Sequence, residues 1–139
     1  RRMEYDDLVK YWFDTDRFIP PVGQGSVAIE VHTSLDSETA NRIKHATNHS
    51  PTEKVLLAER AFLRKMDGGC SIPVFGHAQL ETDGQIVMKG GIASLNGLQL
   101  IQRTLYGSEP EALGISLAEE ILQSGGKKVL DDIKSTISK

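Results

Sequence analysis

The stretch AERAFLRKMDGGCSIPV, Ala58 to Val74, holds a helix, its stop and the entry to a strand, and the rest of the chain can be placed relative to it. Counting back from Cys70, apolar residues recur at Val55, Ala58, Phe62 and Met66, the three- and four-residue steps that bury one stripe of a helix. Ser50, Pro51 and Glu53 predict its start: a Ser N-cap, Pro in the first turn and Glu three positions after the Ser make a capping box. Gly68 and Gly69 predict its end, because glycine enters the left-handed region that closes a helix without a Cβ penalty.

Cys70 follows at once, and it is the only cysteine of the chain. A helix C-terminus carries partial negative charge, which disfavours a thiolate, although Arg64 and Lys65 are close enough in sequence to offset it. Two glycines before it suit a tether better than a rigid nucleophile. On the residues alone, an inert, partly buried cysteine and a working one both stay open. Thiol catalysis by Cys70 with His77 is disfavoured, because seven residues of extended chain separate them too far.

Composition sets the class. With 39% hydrophobic and 25% charged residues the chain reads as a soluble globular domain, and its 139 residues suffice for one core. A net charge of -3 without a basic cluster argues against a nucleic-acid surface. No apolar run reaches the length of a membrane span or a signal segment, and one cysteine allows no internal disulfide, so a cytoplasmic setting and no membrane partner are expected.

Upstream of the central stretch the signals are weaker. Leu8, Val9, Tyr11 and Trp12 are too crowded for a clean period and predict at most a short helix within Arg1 to Phe13. Pro20-Pro21 forces an extended segment. Gly23, Gly25 and Ala28 fit the G-x-G-x-x-[GA] spacing of dinucleotide sites, but that motif needs a strand before and a helix after, and here SVAIEV (Ser26 to Val31) reads as a strand after the glycines. Leu35, Ala40, Ile43 and Ala46 predict an amphipathic helix begun by Asp36 or Ser37 and ended before Asn48. His45 and His49 have a zinc-compatible spacing on a continuous helix, but Ser50 and Pro51 break it, so no metal site is expected.

Downstream of Cys70 the period becomes that of strands. Ile72 to Leu80, Ile86 to Ser94 and Leu98 to Tyr106 alternate and are joined at Asp83-Gly84 and Asn96-Gly97, which predicts a three-stranded antiparallel meander. Gly90-Gly91 marks a bulge or a close approach of another backbone. Ser108 to Glu111 repeats the capping pattern before a helix with Leu113, Leu117, Ile121 and Leu122, ending at Gly125-Gly126, and a last helix carries Val129, Leu130, Ile133 and Ile137. The expected fold is α+β: a small three-stranded antiparallel sheet packed with three helices, preceded by a strand and a helix.

The run ERAFLRKMDGGCSIPV resembles the signature of the porphobilinogen deaminase (hydroxymethylbilane synthase) family, and FIPPVGQGSVAIE (Phe18 to Glu30) and GISLAEEIL (Gly114 to Leu122) agree with it in order. The resemblance implies that residues 1–48 are a remnant of upstream domains, the tail of a second domain and a return segment to a first, and that 49–139 are the C-terminal, cofactor-carrying domain. It implies that Cys70 holds a dipyrromethane through a thioether, that Gln24 and Gly25 touch cofactor or substrate, and that Arg2 faces substrate carboxylates, for which a guanidinium fork is suited.

The parent activity so implied is polymerisation of four porphobilinogen molecules into hydroxymethylbilane with release of ammonia, the pyrrole chain growing on the primer. No residue of this chain matches the family's catalytic aspartate, so the segment alone is expected to be inactive and to need the missing N-terminal domains. Phe75 after SIPV and Pro20-Pro21 before the VGQG loop depart from the family pattern. The alternative is a non-enzymatic α+β binding or assembly module with an unmodified Cys70. Self-association through Trp12, Phe13, Phe18 and Ile19 is a further expectation.

Overall fold

A helix stripe needs something to bury against, and in this chain it is a sheet laid across two other helices. The computed structural model describes residues 4–68 and 71–137. Among them, α1 spans Ser37–Thr47 and α2 Ser50–Lys65; β1 is Val74–Leu80, β2 Ile86–Ala93 and β3 Leu100–Gly107; α3 is Pro110–Ile121 and α4 Lys127–Ile137. The strands lie in the order β1-β2-β3, all antiparallel, as the predicted meander requires. Helices α2, α3 and α4 cover one face, so the α+β architecture read from the sequence is the observed one.

The stripe of α2 is buried as its spacing demands: Ala58, Phe62 and Met66 are fully covered, with Val55 at the margin. They meet Met88 and Ile92 of β2 and Leu117 and Ile121 of α3 in one core, to which α4 adds Val129, Leu130 and Ile133. Each such side chain contributes about 1.5–3 kcal/mol relative to exposure. Ile137, expected on the same stripe of α4, is half exposed at the helix end.

Helix starts differ from the expected capping boxes. Ser50 is already helical; His49 is the N-cap, its Nδ1 2.8 Å from Thr52 Oγ1, and Glu53 turns away to accept from Asn48 Nδ2 at 2.7 Å. Helix α3 likewise starts at Pro110 after Glu109, without a side-chain cap. In α1 the expectation holds, with Asp36 accepting from the Thr39 N–H at 2.8 Å. That bond to the helix N-terminus also lowers the Asp36 pKa.

Both hairpins form where expected. The loop 82–84 ends in Gly84 at φ 86, and Glu81 N–H returns to Gln85 O at 2.8 Å. Gly90-Gly91 is not a bulge, since the register runs unbroken through both; the expected close backbone approach falls at Gly91, where a Cβ would stand 2.5 Å from Ile101 O, while at Gly90 the close neighbour is the Phe62 ring. Between α3 and α4 the helical path breaks where the Gly125-Gly126 pair predicts: within the turn Leu122–Gly126, Gly125 takes φ 105, a conformation open to glycine, and α4 sets off from the kink.

The largest departure is Ser26 to Val31, which belongs to no strand, with Val27 89% exposed. A strand exists only by pairing, and no neighbour among the described residues offers its edge to this run. The N-terminal region keeps one 3-10 turn, Asp6–Leu8, and an edge-to-face ring contact of Tyr11 with Phe13 at 5.2 Å; Trp12 is 79% exposed. Helix α1 buries no residue.

Candidate functional site

Two loops leave the domain beside α2. The first carries the cysteine between α2 and β1; the second is the Val22–Gly25 turn. Arg2, Gly69 and Cys70 lie outside the described residues, so the expected roles of Arg2 and Cys70 are met only through their neighbours.

On the helical side of the cysteine loop, Met66 caps α2 and is fully buried. The left-handed turn expected of the glycines falls on Asp67, at φ 49. Gly68 is needed for space instead: a Cβ there would stand 2.8 Å from Leu63 Cδ1. Arg64 and Lys65 pair with Glu111 at 3.2 Å and Glu119 at 2.8 Å on α3. Those cations are thus engaged across the helix pair. On the strand side, Ser71 is exposed and Pro73 O accepts the Ala93 N–H at 3.0 Å, which locks the loop's exit onto β2.

Asp67 ties the loop's start to the last helix, for Lys134 of α4 donates to its Oδ2. The hydrogen bond and charge of Lys134 hold the Asp67 carboxyl below its ordinary pKa of 3.8. A carboxyl depressed in the folded state adds stability above its unfolded pKa and loses it as pH falls through the folded value. Asp67→Asn, which tolerates the left-handed backbone, is therefore expected to lower the urea midpoint slightly near neutral pH. The difference from the unsubstituted chain should vanish well below pH 3.8. A gap that persists in acid would exclude the ion pair as its cause. Asp67 otherwise stands just past the end of α2 as an exposed carboxylate.

The second loop is held by a residue that the sequence reading passed over. Glu59 is 4% exposed, and among the described residues it is the one buried charged side chain. Its Oε2 accepts the Gly23 N–H at 2.7 Å and its Oε1 the Ala78 N–H at 2.8 Å. His77 Nδ1 lies 3.4 Å from Oε1. The available signal was position: Val55, Glu59, Phe62 and Met66 share one helical face, so a glutamate stands on an apolar stripe.

The turn so held presents Gln24 and Gly25 to solvent, with Gly25 at φ 80, and no helix follows it directly. Glu59 and Met66 are about 10 Å apart along α2 at 1.5 Å per residue, so one rigid helix spaces the two loops. Among the described residues no three His, Cys, Asp or Glu come together as metal ligands, and no helix is long and apolar enough to cross a membrane.

These features define a small α+β domain that carries a cysteine-bearing loop between a helix and a strand. Residues 54–123, half of the chain, match the family model described as "Porphobilinogen deaminase, C-terminal domain". The chain is 43% identical over 135 residues to the porphobilinogen deaminase of Desulfosudis oleivorans, covering 96% of this chain and 43% of that protein. It is 41% identical to the protein of the same name from Cytophaga hutchinsonii, over 99% of this chain and 45% of that one. For Carboxydothermus hydrogenoformans the identity is 36%, over 96% and 43%. The chain belongs to the porphobilinogen deaminase family and contains its C-terminal domain. It spans less than half the length of these relatives.

Proposed function

We propose that the chain is the cofactor-carrying C-terminal part of a cytoplasmic porphobilinogen deaminase, a transferase that joins four porphobilinogen molecules into hydroxymethylbilane with loss of ammonia. The observation that carries the reading is the family match over 54–123, which encloses the cysteine loop, all of β1 and all but the first turn of α2. Residues 49–139 act as the carrier domain. Residues 1–48 dock on the rest of the protein, which covers the exposed Trp12, Phe13 and Phe18 and the half-buried Ile19; without that cover these residues drive self-association.

Cys70 holds a dipyrromethane as a thioether in this reading. The loop suits the load: Asp67 is 81% exposed at its side chain and Ser71 is exposed, while Met66 and Val74 on either flank are buried in the core. A group on the loop can thus extend outward without unpacking the domain. Once attached, the dipyrromethane supplies the pyrrole end onto which further units are added. Gln24 and Gly25 contact it or the substrate, and Arg2 faces substrate carboxylates. The chain's own carboxylates beside the loops are committed, Asp67 to Lys134 and Glu59 to two backbone amides. Proton transfers therefore fall to residues outside this chain, and the segment alone is inactive.

Mass spectrometry of the full-length protein purified in active form tests this. The peptide bearing Cys70 is expected to carry a covalent two-pyrrole adduct, absent from Cys70→Ser. A bare thiol in active enzyme would overturn the assignment and favour an unmodified binding module. Turnover of porphobilinogen by the isolated chain would overturn its inactivity.

A further inference from the structure

Strand β1 lies at the edge of the sheet, and an edge strand leaves alternate N–H groups without a ladder partner. Gly76 and Ala78, two residues apart, point their amides to the same side. The first donates to Pro20 O at 3.2 Å and the second to Glu59 Oε1 at 2.8 Å. Pro20 is therefore joined to β1 by a backbone bond, and Val22, where the Val22–Gly25 turn begins, lies in contact range of Gly76. Where the chain turns away from β1, the Glu59 carboxylate fills the gap, one oxygen on β1 and the other on Gly23 N–H at 2.7 Å.

We infer that Glu59 is a positioning residue: it serves as a side-chain rung between β1 and the Val22–Gly25 turn, and so fixes Gln24 and Gly25 relative to the cysteine loop at the far end of the same helix. The inference rests on the reading of Gln24 and Gly25 as substrate or cofactor contacts, and it deepens that reading. Only a carboxylate meets the demand. Two amides need two acceptor oxygens, whereas glutamine brings one oxygen and turns an NH2 toward the other N–H. Aspartate is shorter by one carbon–carbon bond, about 1.5 Å, and cannot reach both.

Backbone amide exchange of the 139-residue chain, followed by NMR, reads the rung directly. In the unsubstituted chain Gly23 should be protected to within roughly tenfold of Ala78, although it sits in a surface turn, because both amides bind one carboxylate. In Glu59→Gln one of these two amides should exchange roughly ten- to a hundredfold faster, the range for losing a charge-assisted bond, while Leu117 in α3 stays unchanged. An unprotected Gly23 in the unsubstituted chain would overturn the rung, whether or not the variant folds.

A second arm separates positioning from mere support. In the full-length protein with porphobilinogen, Glu59→Gln should lower kcat roughly tenfold or more with the Cys70 adduct still at full occupancy, since a one-ångström misplacement near a reacting group has effects of this order or larger. Unchanged kcat per folded molecule, or exchange rising uniformly through α2 and α3, would reduce Glu59 to a structural role and overturn the inference. Absence of any adduct on Cys70 in the unsubstituted protein would instead sink the proposed function, and the exchange arm would still report on the rung.

Discussion

Phe62→Ala is expected to destabilise the domain by about 3–5 kcal/mol, the range for emptying a fully buried aromatic site, read as a fall in urea midpoint with an unchanged m-value. The ring sits where α2, the sheet and α3 converge. A Cβ placed on Gly90 would come within 2.9 Å of its Cζ and 3.2 Å of Leu117 Cδ2, and one on Gly76 within 3.2 Å of its Cδ1. Two strands have thus given up side chains to let one ring come close to the backbone. Gly90→Ala alone should also destabilise, but in the Phe62→Ala background its methyl enters the space left by the ring. The two changes should therefore couple favourably by about 1 kcal/mol or more, as contacting residues do. Simple additivity, within about 0.5 kcal/mol, would show that the ring does not set the sheet-to-helix spacing.

Gly114→Ala should cost about 2 kcal/mol or more through overpacking, against the helix-propensity gain of about 1 kcal/mol that the same change brings in an open helix. The sign is decided by contact geometry. A Cβ at Gly114 would stand 2.1 Å from the Ala58 carbonyl oxygen and 2.8 Å from the Phe62 nitrogen. Those atoms are backbone of α2, so relief requires the two helices to part. The rim pairs Arg64–Glu111 and Lys65–Glu119 are largely exposed and contribute little to holding them together. A urea midpoint that rises in Gly114→Ala would mean that the helices are not seated at this distance.

What the sequence displays depends on how local each signal is. The α2 stripe, the two Asx-Gly hairpins and the α3 face depend on spacing within a short window, and the structure places all of them as read. Helix starts are less local. Ser50 and His49 compete for one N-cap position, and Asn48, by taking the Glu53 carboxylate, removes half of the box that would have favoured Ser50. The SVAIEV run has the composition of a strand but lacks an edge to join, a property of the fold and not of the six residues. Glu59 escaped for the opposite reason: its partners, Gly23 and Ala78, lie 36 and 19 positions away, and both are backbone groups that leave no trace in residue identity. The cysteine loop was legible through its resemblance, because a lone thiol after a helix carries no chemistry in its spacing.

The contact of Pro20 and Gly23 with the β1 edge also bears on where the domain can be trimmed. Cut back to the span that the family model covers, the sheet would lose its hem: the Gly76 amide would face water, and a carboxylate sunk in the protein would keep only one of its two donors. Raw borders of that kind invite the strands of neighbouring molecules to zip on. The short proline-led stretch far upstream thus belongs to the solubility of the domain as much as to its reach toward the rest of the protein.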